Sequence, residues 1–186
     1  LLLAARCAAA ALDLDAALEL SGRLLDDYEP EDEEALHLVE GLARAGLIAR
    51  DPQRVAAFLA DRWADLNGIF GGPCYEAALA RLRCLAAAQA PAAELIPAVE
   101  LLKQADRKAF RHDLNREPLW AVVQEDPGEL LDTAAAARRI DRSASFVAKR
   151  LEQATIPVTR MDGQLRVPAR GLDAWYALMC HFGLLD

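Results

Sequence analysis

Residues 131–168 read LDTAAAARRIDRSASFVAKRLEQATIPVTRMDGQLRVP, and this stretch decides the fold of the C-terminal part of the chain. It contains two short segments of helix-forming residues, 133–139 and 143–153, with three residues between them. Two short helices joined by such a tight turn are typical of a helix-turn-helix. The sequence therefore predicts that the chain folds back on itself at 140–142.

The ends of both predicted helices carry residues that suit capping and turning. Asp132 or Thr133 can cap the first helix and Ser143 the second, because a side-chain oxygen there accepts a hydrogen bond from a free backbone N–H. Asp141 lies in the turn and tolerates the left-handed backbone conformation that a tight turn requires. These residues predict the boundaries of the two helices.

A β-hairpin is predicted directly after the second helix. The chain has 16 Val, Ile and Thr residues, and five of them fall within positions 155–167. Such residues favour strands. Asp162-Gly163 lies among them and is typical of a two-residue type I′ turn, since both central positions of that turn need positive φ. We therefore expect two short strands that pair across this dipeptide.

The turn also predicts the register of the hairpin. Met161 pairs with Gln164 across the turn, and each further pair lies one residue farther away. Side chains alternate between the two faces of a strand, so each face carries a defined set. The residues of one face are Val158, Arg160, Leu165 and Val167, and those of the other are Thr159, Met161, Gln164 and Arg166.

This succession of elements resembles the excisionase-type, MerR-like winged helix-turn-helix, over about 45 of the 186 residues. Proteins of that family share a Thr-led helix, a Ser-led recognition helix, a glycine turn between strands, and a closing helix with Leu and Trp or Tyr. The matching residues are Thr133, Ala136, Ala137, Ser143, Val147, Lys149, Ile156, Pro157, Arg160, Gly163, Arg166, Val167, Pro168, Leu172 and Trp175. The chain departs from the pattern at Ala135, Arg139, Asp141, Arg142 and Ala154, where Asp141 and Ala154 replace usual glycines.

The resemblance implies a DNA-binding protein of the transcriptional-regulator, recombination-accessory or antitoxin-like type. The charge pattern independently favours this function. Eight Lys and Arg residues but only three acidic residues lie between 138 and 170, in a chain whose net charge is −8. Contact with phosphate is the simplest purpose of such a contrast. The predicted DNA-contacting residues are Arg142, Ser143, Ser145, Lys149, Arg150, Arg160, Arg166 and Arg170.

Direct reading of bases is expected to be sparse. The N-terminal residues of a recognition helix face base edges, and here only Ser145 and Lys149 have side chains that hydrogen-bond to them. Arg160 and Arg166 of the hairpin, near a minor groove or on phosphates, are expected to carry more of the binding energy. Phe146 fits either a contact with a thymine methyl group or a place in the core.

Composition predicts a mainly α fold, with an all-helical N-terminal domain before the small winged helix-turn-helix and its one β-hairpin. The chain has 39 Ala and 31 Leu residues, which favour helices. It has no series of Val- and Ile-rich strands, which counts against enzymes with a parallel α/β sheet. Asp126-Pro127-Gly128 is the best linker and divides the chain into domains at 1–126 and 129–186.

The N-terminal domain is predicted to be acidic and to serve assembly, or the binding of a partner or effector. Residues 1–137 carry 13 basic and 24 acidic side chains. Seven of these acids lie between 26 and 34, as a solvated loop and helix start or as a patch that binds a partner. Pro97 is expected to interrupt the helices. The predicted helical segments are 1–25, 33–45, 52–66, a segment that follows Pro73, and 99–114, before a short apolar segment at 119–123.

No catalytic or metal-binding pattern is recognisable, so we expect no enzyme and no cofactor. His37, His112 and His181 are widely spaced, and the four cysteines form no C-x-x-C pair, which favours reduced thiols in the cytoplasm. The expected partners are double-stranded DNA and a second copy of the chain or another protein, with no membrane. The alternative is a structural or adaptor protein whose winged helix binds protein.

Overall fold

The computed structural model of the protein describes residues 2–27, 30–115, 117–120 and 126–185. Short α-helices fill the region before residue 121, which we call the helical body. They are α1 (Leu2–Ala10), α2 (Leu14–Asp27), α3 (Asp32–Ile48), α4 (Pro52–Asp61), α5 (Trp63–Ile69), α6 (Tyr75–Ala87), α7 (Ala92–Ala105), α8 (Ala109–Asp113) and α9 (Glu117–Trp120). Helices α3, α4, α7 and α9 pack on α6, whose buried residues include Leu82, Cys84 and Leu85, and helices α1 and α2 pack on α3.

Residues 126–185, which we call the C-terminal unit, contain helices and a small antiparallel sheet. The elements are β1 (Leu130–Leu131), α10 (Thr133–Arg139), α11 (Ala144–Glu152), β2 (Thr159–Met161), β3 (Gln164–Pro168) and α12 (Ala169–His181). The strand order is β1-β3-β2, so β3 is the central strand. The prediction of a mainly α fold with a small hairpin is confirmed.

The predicted boundaries in the C-terminal unit agree closely with the structure. Helix α10 has the predicted limits, and α11 begins one residue after its cap, Ser143. The hairpin has the predicted register, with Met161 opposite Gln164 and Arg160 opposite Leu165. Strand β1 was not predicted. It pairs with β3 through only two residues, too few to leave an alternating pattern in the sequence.

The boundaries predicted for the helical body are less accurate. The helix expected over 1–25 is wrong, because the chain breaks between α1 and α2, where Leu12 has a φ of 61°. The helix that starts at Pro52 ends at Asp61, and α5 then continues past Asn67 to Ile69. Leu1 and the last three residues of the apolar segment, 121–123, lie outside the described residues.

Two further corrections concern α3 and α7. Helix α3 does not end at residue 45 but runs to Ile48. Pro97 was expected to interrupt the helices, yet it lies inside α7. The missing N–H of Pro97 leaves the carbonyl of Ala93 without its helical donor, but both residues are exposed and water can replace the bond. Helix α7 therefore continues to Ala105, short of the predicted end at 114.

The C-terminal unit packs directly against the helical body. Helix α12 lies on α7, and the rings of Phe110 and Phe182 meet edge to face with their centroids 6.2 Å apart. Gln89 Nε2 donates a hydrogen bond of 3.3 Å to the carbonyl of Pro127, within the predicted linker. Buried residues of both regions belong to one cluster. The division into two domains at this linker stays a prediction.

Candidate nucleic-acid interface

A side-chain cap fixes the start of α10. The carboxylate of Asp132 accepts a hydrogen bond from the backbone N–H of Ala135 at 2.7 Å. This bond is the main cause that lowers the pKa of Asp132, and the nearby cations of Arg138 and Arg166 add to the effect. The sequence offered Asp132 or Thr133 as the cap of this helix, and in the structure the cap is Asp132.

The turns on either side of α11 use the left-handed backbone conformation. Asp141 has a φ of 52°, and the N–H of Arg142 then reaches the carbonyl of Ala137 at 3.0 Å. Ala154 has a φ of 48° at the other end of α11. These are the two positions at which the resemblance expects glycine, and glycine adopts this conformation without a steric cost.

The N-terminus of α11 presents two serine hydroxyl groups. Ser143 Oγ accepts a hydrogen bond from the N–H of Phe146 at 3.2 Å, so Ser143 caps the helix as predicted. The hydroxyls of Ser143 and Ser145 are 2.9 Å apart, and both residues are exposed. Because Ser143 Oγ already accepts a hydrogen bond from the helix backbone, the hydroxyl of Ser145 is better placed for an external acceptor.

Two of the predicted DNA-contacting arginines stack on aromatic rings. Arg150 Cζ lies 4.7 Å from the ring centroid of Phe146 and 5.5 Å from that of Trp175 in α12. Arg142 Cζ lies 5.7 Å from Phe146 and 5.9 Å from Tyr176 in α12. Phe146 is half-buried and contacts both guanidinium groups. These contacts join α11 to α12 through cation–π attraction, so both arginines hold the helix in position.

Arg139, which replaces an apolar residue of the family pattern, is used inside the protein. Its Nε and Nη2 donate to the two carboxylate oxygens of Asp173 in α12 at 2.7 and 2.8 Å. Its Nη1 lies 3.5 Å from the carboxylate of Glu129. The hydrogen bond with Asp173 is the main cause that raises the pKa of Arg139. This side chain therefore ties the end of α10 to α12.

Three other cations of the C-terminal unit are exposed to solvent, namely Arg138, Lys149 and Arg160. Within the part of the chain that the structure describes, no carboxylate lies within 4 Å of their charged nitrogens. Arg160 belongs to the wing, by which we mean β2, the turn and β3, residues 159–168. Their charges are available to an external anion.

The far side of the wing carries the second predicted arginine of the hairpin. Arg166 is half-buried, and its Nη2 donates a hydrogen bond of 2.6 Å to Gln164 Oε1. At the tip, Met161 is 54% exposed and Leu165 is 39% exposed. Asp162 and Gly163 have φ values of 51° and 77°, as the predicted type I′ turn requires.

Arg170 lies beside residues of the helical body. It is in the first turn of α12 and lines a cavity of about 310 Å³ at the corner between α6 and α7. Gln89, Pro91 and Asp173 line the same cavity. The structure thus brings the predicted residues of α11 close to α10 and α12. It places Arg170 beside the helical body.

Sequence reasoning missed two polar residues of this surface. Arg138 is exposed in the last turn of α10 and has no carboxylate within 4 Å among the described residues. Its place in the basic stretch was the signal that could have included it. Gln164 is exposed beside Arg166 on the wing. The predicted register already placed these two on one face.

Neither a metal site nor a membrane span is visible among the described residues. They contain no group of three or more His, Cys, Asp or Glu side chains that could hold a metal ion. None of their helices has both the length and the apolar character needed to cross a membrane. In comparisons with family models, curated proteins and solved structures, nothing matches this chain.

Proposed function

We propose that this protein binds double-stranded DNA through α11 and the wing, as a transcriptional regulator, recombination accessory factor or antitoxin-like repressor. The observation that carries the proposal is the exposure of Lys149 and Arg160 without a carboxylate partner among the described residues. In a chain of net charge −8, acidic groups are abundant enough to pair with these cations. Cations that stay exposed in such surroundings suit phosphate.

In the proposed complex, α11 enters the major groove by its N-terminal end. Ser145 and Lys149 then face base edges or phosphates, and Arg138 lies at the end of the supporting helix. The wing lies beside the helix, where Arg160 contacts the backbone. Because few side chains can read bases directly, shape and phosphate contacts supply most of the binding energy.

The stacked arginines have a positioning role in this proposal. Arg142 contacts the rings of Phe146 and Tyr176, and Arg150 contacts those of Phe146 and Trp175, so the two arginines link α11 to α12. A helix that reads a groove must be held rigidly, since small displacements break its hydrogen bonds. Their substitution should therefore weaken binding by loosening α11 as well as by removing charge.

The helical body is proposed to assemble the protein as a homodimer or to bind a protein partner. One small winged helix has a limited contact area and modest affinity for DNA. Two units on one assembly raise the effective concentration of the second unit at its site. The acidic body itself repels DNA, so the contact is confined to the C-terminal unit.

The experiment that tests the proposal measures duplex binding by the full chain and by single-charge variants. Lys149→Ala and Arg160→Ala should each weaken binding about five- to tenfold near 0.1 M salt, because each removes one phosphate contact. Arg107→Ala is the matched control, since it removes an exposed arginine from the helical body. Equal loss in all three variants, or no duplex binding at low salt, would contradict the proposal.

A second candidate function is that of an adaptor whose winged helix binds protein. The exposed Met161 and Leu165 at the wing tip favour it, because apolar side chains on a projecting hairpin suit a protein surface. Stable co-purification with one partner protein, lost in Met161→Ser and retained in Lys149→Ala, would support the adaptor. The same partner retained in Met161→Ser would count against it.

A further inference from the structure

One face of the wing carries a polar pair whose contact with DNA the proposed function leaves open. Strand alternation places Gln164 and Arg166 on the same face, together with Met161 across the turn. Gln164 is exposed, and Arg166 is half-buried behind it. The two side chains are joined by the hydrogen bond from Arg166 Nη2 to Gln164 Oε1, at 2.6 Å.

This hydrogen bond fixes the orientation of the Gln164 amide. A guanidinium group has five donors and no acceptor, so only the oxygen of the amide can face Arg166. The amide nitrogen, Nε2, then lies on the side away from the guanidinium. No acceptor of the described residues is within hydrogen-bond distance of Nε2. The wing therefore presents two oriented N–H donors to an external acceptor.

We propose that Gln164, oriented by Arg166, reads the floor of the DNA minor groove and selects A·T-rich segments. This inference rests on the proposed DNA binding and names the groove surface that the wing recognises. In the minor groove, A·T and T·A pairs present only acceptors, whereas a G·C pair adds the N2 amino donor of guanine. Amide donors therefore match A·T pairs and conflict with the guanine amino group.

The surroundings of Gln164 suit the same groove. A-tracts have a narrow minor groove with enhanced negative potential, which attracts an inserted arginine such as Arg166. Exposed Met161 lies directly opposite Gln164 at the tip. Apolar side chains of this kind enter the minor groove of DNA in many complexes. The three side chains form a donor, a cation and an apolar edge on one projecting surface.

Three duplexes of equal length, with alternating A·T, G·C or I·C pairs, distinguish recognition by Gln164 in the minor groove from recognition in the major groove. An I·C pair has the major-groove edge of G·C but lacks the amino group in the minor groove. The full chain should bind the A·T and I·C duplexes about fivefold or more tightly than the G·C duplex. Contacts from α11 in the major groove cannot produce a preference for I·C over G·C.

Variants of the pair identify the side chain responsible. Gln164→Met keeps the length of the side chain without its donors, and should reduce the I·C to G·C affinity ratio to about one. Arg166→Ala should lower both the ratio and the overall affinity, because the amide loses its orientation and the groove loses a cation. Arg160→Ala should weaken binding to all three duplexes equally. Gln104→Met, at an exposed position of α7, is the matched control.

The outcomes distinguish failure of this inference from failure of the proposed function. Equal affinity of the wild-type chain for I·C and G·C duplexes, or a ratio unchanged in Gln164→Met, would overturn the role of Gln164 while DNA binding stands. Absence of binding to all three duplexes at low salt would overturn DNA binding itself, and the inference with it. Thermal unfolding followed by circular dichroism verifies that each variant is folded.

Discussion

Two arginines of the helical body and one arginine of the wing are placed in contrasting ways. In the body, Arg54 lies 2.6 Å from the carboxylate of Asp15, and Arg62 lies 2.6 Å from that of Asp26, so both arginines join α4 or its end to α2. In the C-terminal unit, Arg160 has no carboxylate within 4 Å among the described residues. Arginine thus serves packing at positions 54 and 62 and stays accessible at position 160.

The difference teaches where to look for function in an acidic protein. Net charge alone argues against a polyanionic partner, since the chain carries −8. Pairing within the structure is more informative, because an arginine bound to its own carboxylates has little attraction left for phosphate. Arg139, which pairs with Asp173, shows that the C-terminal unit also contains an arginine bound to one of the protein's own carboxylates.

The largest expected effect tests the packing of α12 in the C-terminal unit. Trp175 is fully buried in α12, the helix that packs on α7. Trp175→Ala should lower the free energy of unfolding by about 3–5 kcal/mol, since it leaves a large cavity. Urea unfolding followed by far-ultraviolet circular dichroism measures this change. A loss below about 1 kcal/mol would show that the site collapses freely.

Packing of the helical body is tested by a matched pair of glycines in α3. A Cβ at Gly46 would lie 2.5 Å from Val55 Cγ2, whereas a Cβ at Gly41 would meet nothing within 4 Å. Gly46→Ala should therefore lower the free energy of unfolding by about 1–3 kcal/mol. Gly41→Ala should raise it by about 0.5–1 kcal/mol, because alanine favours a helix. The same urea measurement applies, and equal effects would refute the close approach of Val55 to Gly46.

A smaller effect is expected at the cap of α11. Ser143→Ala removes the acceptor of the Phe146 N–H and should cost about 1 kcal/mol of stability. Ser145→Ala should stay within a few tenths of a kcal/mol, because among the described residues that hydroxyl forms a hydrogen bond only with Ser143. Thermal unfolding of both variants compares the two serines. A larger loss in Ser145→Ala would reverse the roles assigned to them.

The smallest expected effect concerns pH and the cap of α10. The backbone N–H of Ala135 lowers the pKa of Asp132, so its charge stabilises the fold above the unfolded pKa of about 3.9 and this contribution is lost on further acidification. Asp132→Asn keeps a capping oxygen without the charge. The difference in Tm between wild type and variant should shrink from pH 6 to pH 3. A difference in Tm that stays constant with pH would show that the charge of Asp132 does not contribute to stability.

Prediction from sequence succeeded where single residues dictate the backbone. Asp162-Gly163 favours one turn type, and Ser143 one helix start, so the wing and α11 lie where expected. The alanine-rich body offers weaker signals, since alanine suits both faces of a helix. Leu12 adopts a positive φ without being glycine, and Pro97 sits inside α7 at an exposed position. Tertiary packing decides both, and local sequence does not reveal it.

Most residues of the candidate site were predictable from the sequence, but the contacts that their side chains make were predictable only in part. The basic stretch indicated the right surface, and Lys149 and Arg160 are exposed there. The stacking of Arg142 and Arg150 on Phe146 depends on rings that α12 supplies from a distant part of the sequence. The bond between Arg166 and Gln164 depends on the rotamers of two neighbours on a strand. Neither follows from residue spacing alone.

The salt dependence of duplex binding tests the central claim most directly. For the full chain, log K should fall linearly with log salt concentration, because binding releases counterions from phosphates. In the double variant Arg160→Ala/Arg166→Ala the slope should flatten by about 0.9 for each phosphate that the protein no longer neutralises, with helicity unchanged. A slope equal to that of the wild-type chain, or a wild-type chain that retards no duplex at low salt, would contradict the account.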